Sequence, residues 1–284
     1  ILKDEIQRIA TAKKLGIDIV EKDYILSWVL AAIHHHDATK NSWIFKGGTC
    51  LKKCYFETYR FSEDLDFTYR GEAHEPTEDY YKNIFIEIAQ WIYENAGIEL
   101  PQQGIEFEVF TNPRNTTSVQ GKLTYRGPIQ RNVGITRLPR LKIDLTLDEP
   151  TLVDPQIKNV GHPYSDMLEE GKRILAYSYE ELFAEKLRAL VQRLRPRDLY
   201  DVIHLYQQRD ANINIGLLKQ TLQKKCALRS VPFPKIELIE NHDNRKLLES
   251  EWATQLRHQM PELPSFDLFL NELGKILDWV AIKN

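Results

Sequence analysis

Two short stretches of this sequence combine residue types that suit phosphate chemistry. In the first, Lys46-Gly47-Gly48-Thr49, two glycines stand between a predicted strand and a predicted helix. Glycines let backbone amides approach a bound anion, and the start of a helix adds a partial positive charge. The Thr49 hydroxyl is a further polar group at this point. We interpret the turn as a binding site for the phosphates of a nucleotide.

The second stretch, residues 61–67, carries the carboxylates Asp64 and Asp66. Because side chains alternate between the faces of a strand, both point to the same side. Two carboxylates this close repel each other unless a cation lies between them, and Mg²⁺ prefers oxygen ligands. Asp144, in a predicted strand over residues 140–147, would complete a three-carboxylate cluster if the two strands are neighbours. Such a cluster can hold two metal ions that order a triphosphate and activate a hydroxyl. Polar strand faces also contain Asp-x-Asp by chance, which is the alternative interpretation.

The elements that position these residues mix strands with helices. Residues 1–40 are predicted to be helical, with Val20, Tyr24, Trp28 and Ala32 on one apolar face. Strands are predicted at residues 43–46, 64–69, 105–110 and 140–147, and helices at residues 49–59 and 77–96, the latter ending at Gly97. We therefore expect an α/β (α+β) fold in which a mixed sheet is flanked by helices.

The pattern changes after residue 150. Prolines punctuate a connecting stretch, and Ser178-Tyr179-Glu180-Glu181 predicts a capping box at the start of a helix that ends before Pro196. The remaining chain is predicted to be mainly helical. We expect a first domain over residues 1–172 and a helical C-terminal domain over residues 173–284.

Composition and charge exclude several classes of protein. The chain has 284 residues, and its 38 Lys and Arg against 41 Asp and Glu give a net charge of −3, which excludes a uniformly basic nucleic-acid binder. Three cysteines are too few for a disulfide framework. There is no apolar run of the length that a membrane span needs and no signal segment. We expect a cytoplasmic protein that does not bind a membrane.

Local charge differs from the net charge. Residues 111–142 contain seven basic residues and no acidic one, and residues 186–197 contain five basic residues and no acidic one. Such tracts can bind an RNA backbone, although a solvated charged face is the alternative. The candidate RNA-binding residues are Arg126, Arg131, Arg137, Arg140, Arg193 and Arg197.

Lys186 and Asp198 are further candidates for a functional site. Lys186 falls within the apolar stripe of the helix over residues 178–194, and an unpaired buried ammonium is unfavourable. Its partner is therefore either a bound triphosphate or a carboxylate of the protein, unless the stem carries the ammonium to water. Asp198 lies at the start of the next helix, where a carboxylate is favourable whether or not it has a function.

These motifs resemble the DNA polymerase β-type nucleotidyltransferase superfamily and, more narrowly, the AbiEii/AbiGii-type toxin family. The resemblance rests on Gly47-Gly48-Thr49 followed by residues 60–66, on Glu21-Lys22-Asp23-Tyr24, and on residues 181–190 and 195–201. It covers about residues 20 to 206, and no motif covers the last part of the chain.

The resemblance implies a metal-dependent transfer of a nucleoside monophosphate from an NTP to an RNA acceptor, the 3′ end of tRNA, with release of pyrophosphate. It implies a toxin–antitoxin or phage-defence system, with an antitoxin that often carries a winged-helix DNA-binding domain. The implied ligands of Mg²⁺ or Mn²⁺ are Asp64, Asp66 and Asp144. The implied catalytic residues are these three with Lys186 and Asp198, and the implied nucleotide-binding residues are Lys46, Gly47, Gly48, Thr49, Ser62 and Lys186.

Two other functions fit the same residues. One is nucleotidyl transfer to a hydroxyl of a protein or a small molecule. The other is a non-catalytic module that binds a nucleotide and acts through protein interactions.

Overall fold

A computed structural model describes residues 3–56, 60–72, 76–111, 116–129, 133–166, 168, 171–211 and 213–281. Its contacts divide the chain into two units, Ile1–Thr151 with Pro155–Tyr177 and Leu152–Asp154 with Ser178–Asn284. The first unit contains the sheet, and the second contains the helices that follow it.

The first unit alternates helices and strands. Its helices are α1 (Lys3–Lys13), α2 (Ile17–His35), α3 (Gly47–Cys50), which continues as a π-helical turn over Leu51–Tyr55, and α4 (Glu78–Ala96). Its strands are β1 (Trp43–Lys46), β2 (Asp64–Tyr69), β3 (Ile105–Thr111), β4 (Thr117–Thr124), β5 (Arg140–Thr146), β6 (Gln156–Asn159) and β7 (Arg173–Ala176). Short 3₁₀ turns lie at Gln102–Gly104 and Ile135–Arg137.

The strands form one mixed sheet in the order β3-β4-β5-β2-β1-β7-β6. Strands β2 and β5 are parallel, as are β1 and β7, and the other neighbours are antiparallel. The predicted fold class and the four predicted strands are confirmed. Strand β4 was not predicted, because Gly121 interrupts the apolar alternation between Val119 and Leu123. Strands β6 and β7 have only four residues each, which is too short for a clear pattern.

The two faces of the sheet differ in polarity. Phe45, Phe67 and Leu145 are cross-strand partners on one face and are buried. Helix α4 covers this face, with Phe85 packed against Phe107. Period-2 alternation therefore sends the polar residues of β1, β2, β4 and β5 to the opposite face.

The ends of helix α4 follow the local sequence. Thr77 caps its start by accepting a hydrogen bond from the Tyr80 amide, and Gly97 ends it with a φ of 65°. The apolar face predicted for α2 is buried, but so are most other residues of this helix.

The second unit consists of helices among the residues described. They are α5 (Tyr179–Arg193), α6 (Pro196–Gln207), α7 (Ile215–Leu228), α8 (Ile236–Glu240), α9 (Arg245–Ser250), α10 (Trp252–Leu256), a 3₁₀ turn at Arg257–Gln259, and α11 (Phe266–Ala281). In the part of the chain that the structure describes, no helix is both long enough and apolar enough to cross a membrane.

The predicted capping box at α5 is only half formed. The Ser178 hydroxyl accepts from the Glu181 amide at 3.2 Å, as predicted. The Glu181 side chain does not reach back to residue 178; it accepts from the amides of Leu152 and Val153 and pairs with Lys225 at 2.7 Å. That part of the prediction was wrong because a buried cation and two chain-distant amides offer this carboxylate more partners than one local amide does.

Candidate active site

The turn after β1 is built around Gly47. Its φ of 80° lies in the left-handed region, which favours glycine. A Cβ atom at this position would lie 2.1 Å from Oδ2 of Asp66. The missing side chain therefore lets the Asp66 carboxylate lie directly against the backbone of the turn.

Gly48 brings two further side chains to the same turn. A Cβ at Gly48 would lie 2.7 Å from Nη2 of Arg60 and 3.0 Å from Oγ of Ser62. Ser62, a predicted nucleotide-binding residue, thus lies beside the glycine turn, together with the buried guanidinium of Arg60. Sequence reasoning assigned no role to Arg60, although the cation directly precedes the Phe61-Ser62 pair.

Thr49 was predicted to contact a phosphate, and in the structure its hydroxyl contacts the protein backbone. Its side chain is fully buried, and its hydroxyl donates to the backbone carbonyl of Asp64 at 2.5 Å. Because a hydroxyl has one proton to donate, this bond uses the proton that a phosphate oxygen would accept. In this arrangement Thr49 fastens the turn to the start of β2.

The carboxylates of β2 and β5 lie side by side. The strands are neighbours, and their register pairs Asp66 with Asp144 and Asp64 with Lys142. Lys46 of β1 is the partner of Asp66 on the other side. The sequence prediction was conditional on this adjacency, which places Asp64, Asp66 and Asp144 on one face of the sheet.

The electrostatics of this face show mutual repulsion between carboxylates. Burial raises the pKa of Asp144, and the negative charge of Asp64 raises it further, while Lys142, a hydrogen bond from Gln120 and Lys46 act in the opposite direction. A cation placed among these oxygens would relieve the repulsion.

The donor set fits a small divalent ion with few protein ligands. Across the described residues, no three side chains of His, Cys, Asp or Glu converge closely enough to share one metal ion. Mg²⁺ is commonly held by one or two carboxylates together with substrate phosphates, so Asp66 with Asp144 or Asp64 provides a suitable number of oxygens.

Lys46 is paired inside the protein. Its ammonium lies 2.6 Å from Glu149, and both side chains are almost buried. Sequence reasoning missed Glu149, because it follows β5 and has no periodic relation to Lys46. The ion pair holds the Lys46 ammonium at the end of β1, next to Asp66, and Glu149 compensates the positive charge of this ammonium.

The Glu21-Lys22-Asp23-Tyr24 segment of α2 contacts four separate parts of the unit. Glu21 accepts from the Ile129 amide at 2.6 Å, and Lys22 pairs with Glu63 at 2.6 Å, one residue before Asp64. In the next two positions, Asp23 pairs with buried Lys53 at 2.7 Å and Tyr24 donates to Asp166 at 2.7 Å. Through Glu63 and Ile129, this segment holds the chain that leads into the two carboxylate strands, β2 and β5.

Lys186 and Asp198 lie in the second unit, and each has a partner there. The Lys186 ammonium is 2.7 Å from the fully buried carboxylate of Asp201. Asp198 accepts two hydrogen bonds from Arg193, at 2.6 and 2.7 Å, and this bond raises the pKa of the guanidinium. Lys186 thus has the carboxylate partner that its place in an apolar stripe requires.

Several arginines of the predicted basic tracts form ion pairs with acidic residues of the protein, which the sequence does not show. Arg126 pairs with Glu99 at 2.8 Å, Arg140 lies 3.7 Å from Glu106, and Arg193 is held by Asp198. Arg137 and Arg197 are exposed. Arg131 lies outside the described residues. These acidic residues lie outside residues 111–142 and 186–197. The number of basic residues in the two tracts therefore overstates the positive charge that is available to bind RNA.

The fold of the chain matches that of a solved structure. The structure resembles that of the nucleotidyltransferase toxin MenT4 from Mycobacterium tuberculosis H37Rv, with a TM-score of 0.64 and 17% sequence identity, over 100% of this chain and 91% of that chain. This likeness establishes a shared fold.

The sequence then identifies the family. Residues 28–272 match the family described as nucleotidyl transferase AbiEii toxin, type IV toxin–antitoxin system. The chain belongs to this family of nucleotidyltransferase toxins, which implies an NTP substrate and an antitoxin partner. No curated protein matches the chain.

Proposed function

We propose that the protein transfers a nucleoside monophosphate from an NTP to the 3′ hydroxyl of an RNA, with tRNA as the acceptor and pyrophosphate as the leaving group. The observation that carries the proposal is the cross-strand pairing of Asp66 with Asp144 beside the Gly47 turn. Carboxylates that can hold a metal ion next to a glycine turn suit phosphoryl transfer.

The residues of the first unit have separate roles in this proposal. Asp64, Asp66 and Asp144 would hold Mg²⁺ or Mn²⁺, with Asp66 and one of the other two on each ion; the bound metal would orient the triphosphate and acidify the attacking hydroxyl. The acceptor oxygen forms a bond to the α-phosphorus as the bond to the β-phosphate oxygen breaks, and the hydroxyl proton passes to Asp144. Gly47, Gly48 and Ser62 line the phosphate side, next to Lys46, whose charge Glu149 compensates until a phosphate binds.

We also propose that Lys186 and Asp198 contribute to nucleotide binding. We assign Lys186 to the triphosphate because about a tenth of its side-chain surface stays exposed, although its ammonium pairs with Asp201. The Asp201 carboxylate, 2.7 Å away, fixes the orientation of the ammonium. Asp198 is assigned to the nucleotide pocket through its bidentate contact with Arg193.

The cellular setting is also part of the proposal. Cys50, Cys54 and Cys226 are free thiols, which suits the reducing cytoplasm. We propose that the toxin acts there in phage defence, without membrane binding, and that a winged-helix DNA-binding protein is its antitoxin.

Transfer of label separates the proposed reaction from its alternatives. Purified protein is incubated with each α-³²P NTP, Mg²⁺ and total tRNA, and the RNA, protein and small-molecule fractions are counted. We expect label on tRNA and none with Asp66→Asn, which keeps the shape of the side chain but removes its charge. Label only on protein, or only on an added small molecule with a hydroxyl, would show that the acceptor is a protein or a small molecule. NTP binding without any transfer would favour the non-catalytic module.

A further inference from the structure

Two lysines face each other on the carboxylate face of the sheet. The antiparallel register of β4 and β5 makes Lys122 the direct partner of Lys142. The parallel register of β5 and β2 places Lys142 opposite Asp64 on its other side. Lys122 and Lys142 therefore share the face that carries Asp64 and Asp144.

This arrangement is unfavourable for the isolated protein. Like charges directly opposite each other in an antiparallel pair destabilise a sheet. On β3 the cross-strand partner of Lys122 is Glu106, and its ammonium lies 3.8 Å from Glu108. The side chains of Lys122 and Glu108 are 41% and 52% exposed, so at this surface the acids compensate the lysine only weakly. Lys142 is exposed and forms no ion pair or hydrogen bond within the described parts of the chain. An anion between the two ammonium groups would reverse the sign of this interaction.

The position of Lys122 and Lys142 relative to the carboxylates indicates which anion could bind between them. Lys142 precedes Asp144 by two residues on the same strand face, a separation of about 7 Å. Lys142 is also the cross-strand partner of Asp64, so a group held by Lys142 lies beside the carboxylates, about one phosphate–sugar unit from Asp144. In an RNA chain, the phosphate nearest to the terminal 3′ hydroxyl is the last internucleotide phosphate, on the 5′ side of the terminal ribose.

We propose that Lys122 and Lys142 form a phosphodiester subsite that holds the last internucleotide phosphate of the acceptor RNA. The inference rests on the proposed RNA acceptor, and it adds the residues that select a nucleotide chain over a free nucleoside. Arg140, two residues before Lys142, extends the basic row toward the sheet end at which β5 begins.

The first test measures RNA binding without the reaction. Binding of tRNA to Lys122→Met, Lys142→Met and the wild type is followed over a series of salt concentrations without NTP. Each lost phosphate contact should reduce the slope of log K against log salt by about one. Lys82→Met is the matched control, because Lys82 is exposed on α4, which packs on the other face of the sheet. The melting temperature of each variant checks that it is folded, and removal of a like charge should not lower it.

The second test compares acceptors that differ by one phosphate. The ratio of kcat/KM for a dinucleoside monophosphate to that for a nucleoside should fall about tenfold in Lys142→Met, the effect of one charge-assisted contact. An unchanged ratio and an unchanged salt slope would overturn the subsite. A raised KM for NTP with an unchanged acceptor ratio would also overturn it, since the lysines would then hold the triphosphate. If the wild type labels no RNA but the salt slope still falls, the subsite stands and the proposed reaction fails.

Discussion

A methyl group at position 47 should inactivate the enzyme at a modest cost in stability. In Gly47→Ala, the new Cβ would lie 2.1 Å from Oδ2 of Asp66 and 3.0 Å from its Cβ, whereas ordinary contact begins at 3.4 Å. Rotation of the carboxylate alone does not relieve both contacts, so β2 or the turn has to move by about 1 Å. A misplacement of this size at a reacting centre costs about a hundredfold in rate.

The matched control is Gly97→Ala. Gly97 also has a positive φ, 65°, but a Cβ there meets no atom within 4 Å. Both variants should lose about 1–2 kcal/mol for placing an L-residue in the left-handed region, and Gly47→Ala should lose somewhat more because of its contact with Asp66. Only Gly47→Ala should also lose transfer activity.

The assay combines two measurements on the same preparations. Transfer of label from α-³²P NTP to tRNA gives the rate, and urea unfolding gives the free energy of unfolding. Equal loss of activity in both variants would show that general destabilisation, not displacement of Asp66, causes the effect. Full activity in Gly47→Ala would refute the placement of Asp66 at the reacting centre.

Two further predictions concern buried charges. Burial, aided by the ammonium of Lys53, lowers the pKa of Lys52 to about 8, so the unfolded chain binds more protons than the folded one between pH 8 and 10.5. Lys52→Met should therefore be more stable than the wild type at pH 7, by at most about 3 kcal/mol, and the gain should shrink when urea unfolding is repeated at pH 9.5; a gain that does not change with pH would contradict this origin. Lys225→Met should lose about 3 kcal/mol in the same assay, because it leaves the Glu181 carboxylate buried without its cation. The exposed neighbour variant Lys224→Met should stay within about 0.5 kcal/mol of the wild type, and a similar loss in both would mean that the ion pair is not the cause.

Features that depend on a few consecutive residues were predictable from the sequence. The turn at Gly47, the cap at Ser178 and the helix end at Gly97 follow from backbone preferences that act within one turn of chain. The alternation of Asp64 and Asp66 fixed their common face for the same reason.

Partners distant in sequence were decided by the tertiary structure. Period-2 alternation assigns a residue to a face, but it does not say which strand lies next to it, so the pairing of Asp66 with Asp144 remained conditional. The ion pair of Lys46 with Glu149 joins residues 103 positions apart and leaves no local pattern.

The sequence alone determined the local features of the candidate site. These are a glycine turn, alternating carboxylates and a lysine within an apolar helix stripe. The tertiary structure decided how the charges are balanced. Lys186 forms an ion pair with Asp201, and Arg126 in the basic tract forms one with Glu99 on a neighbouring segment. Charge pairs form over a few ångströms of space, and only the folded chain sets which residues lie that close.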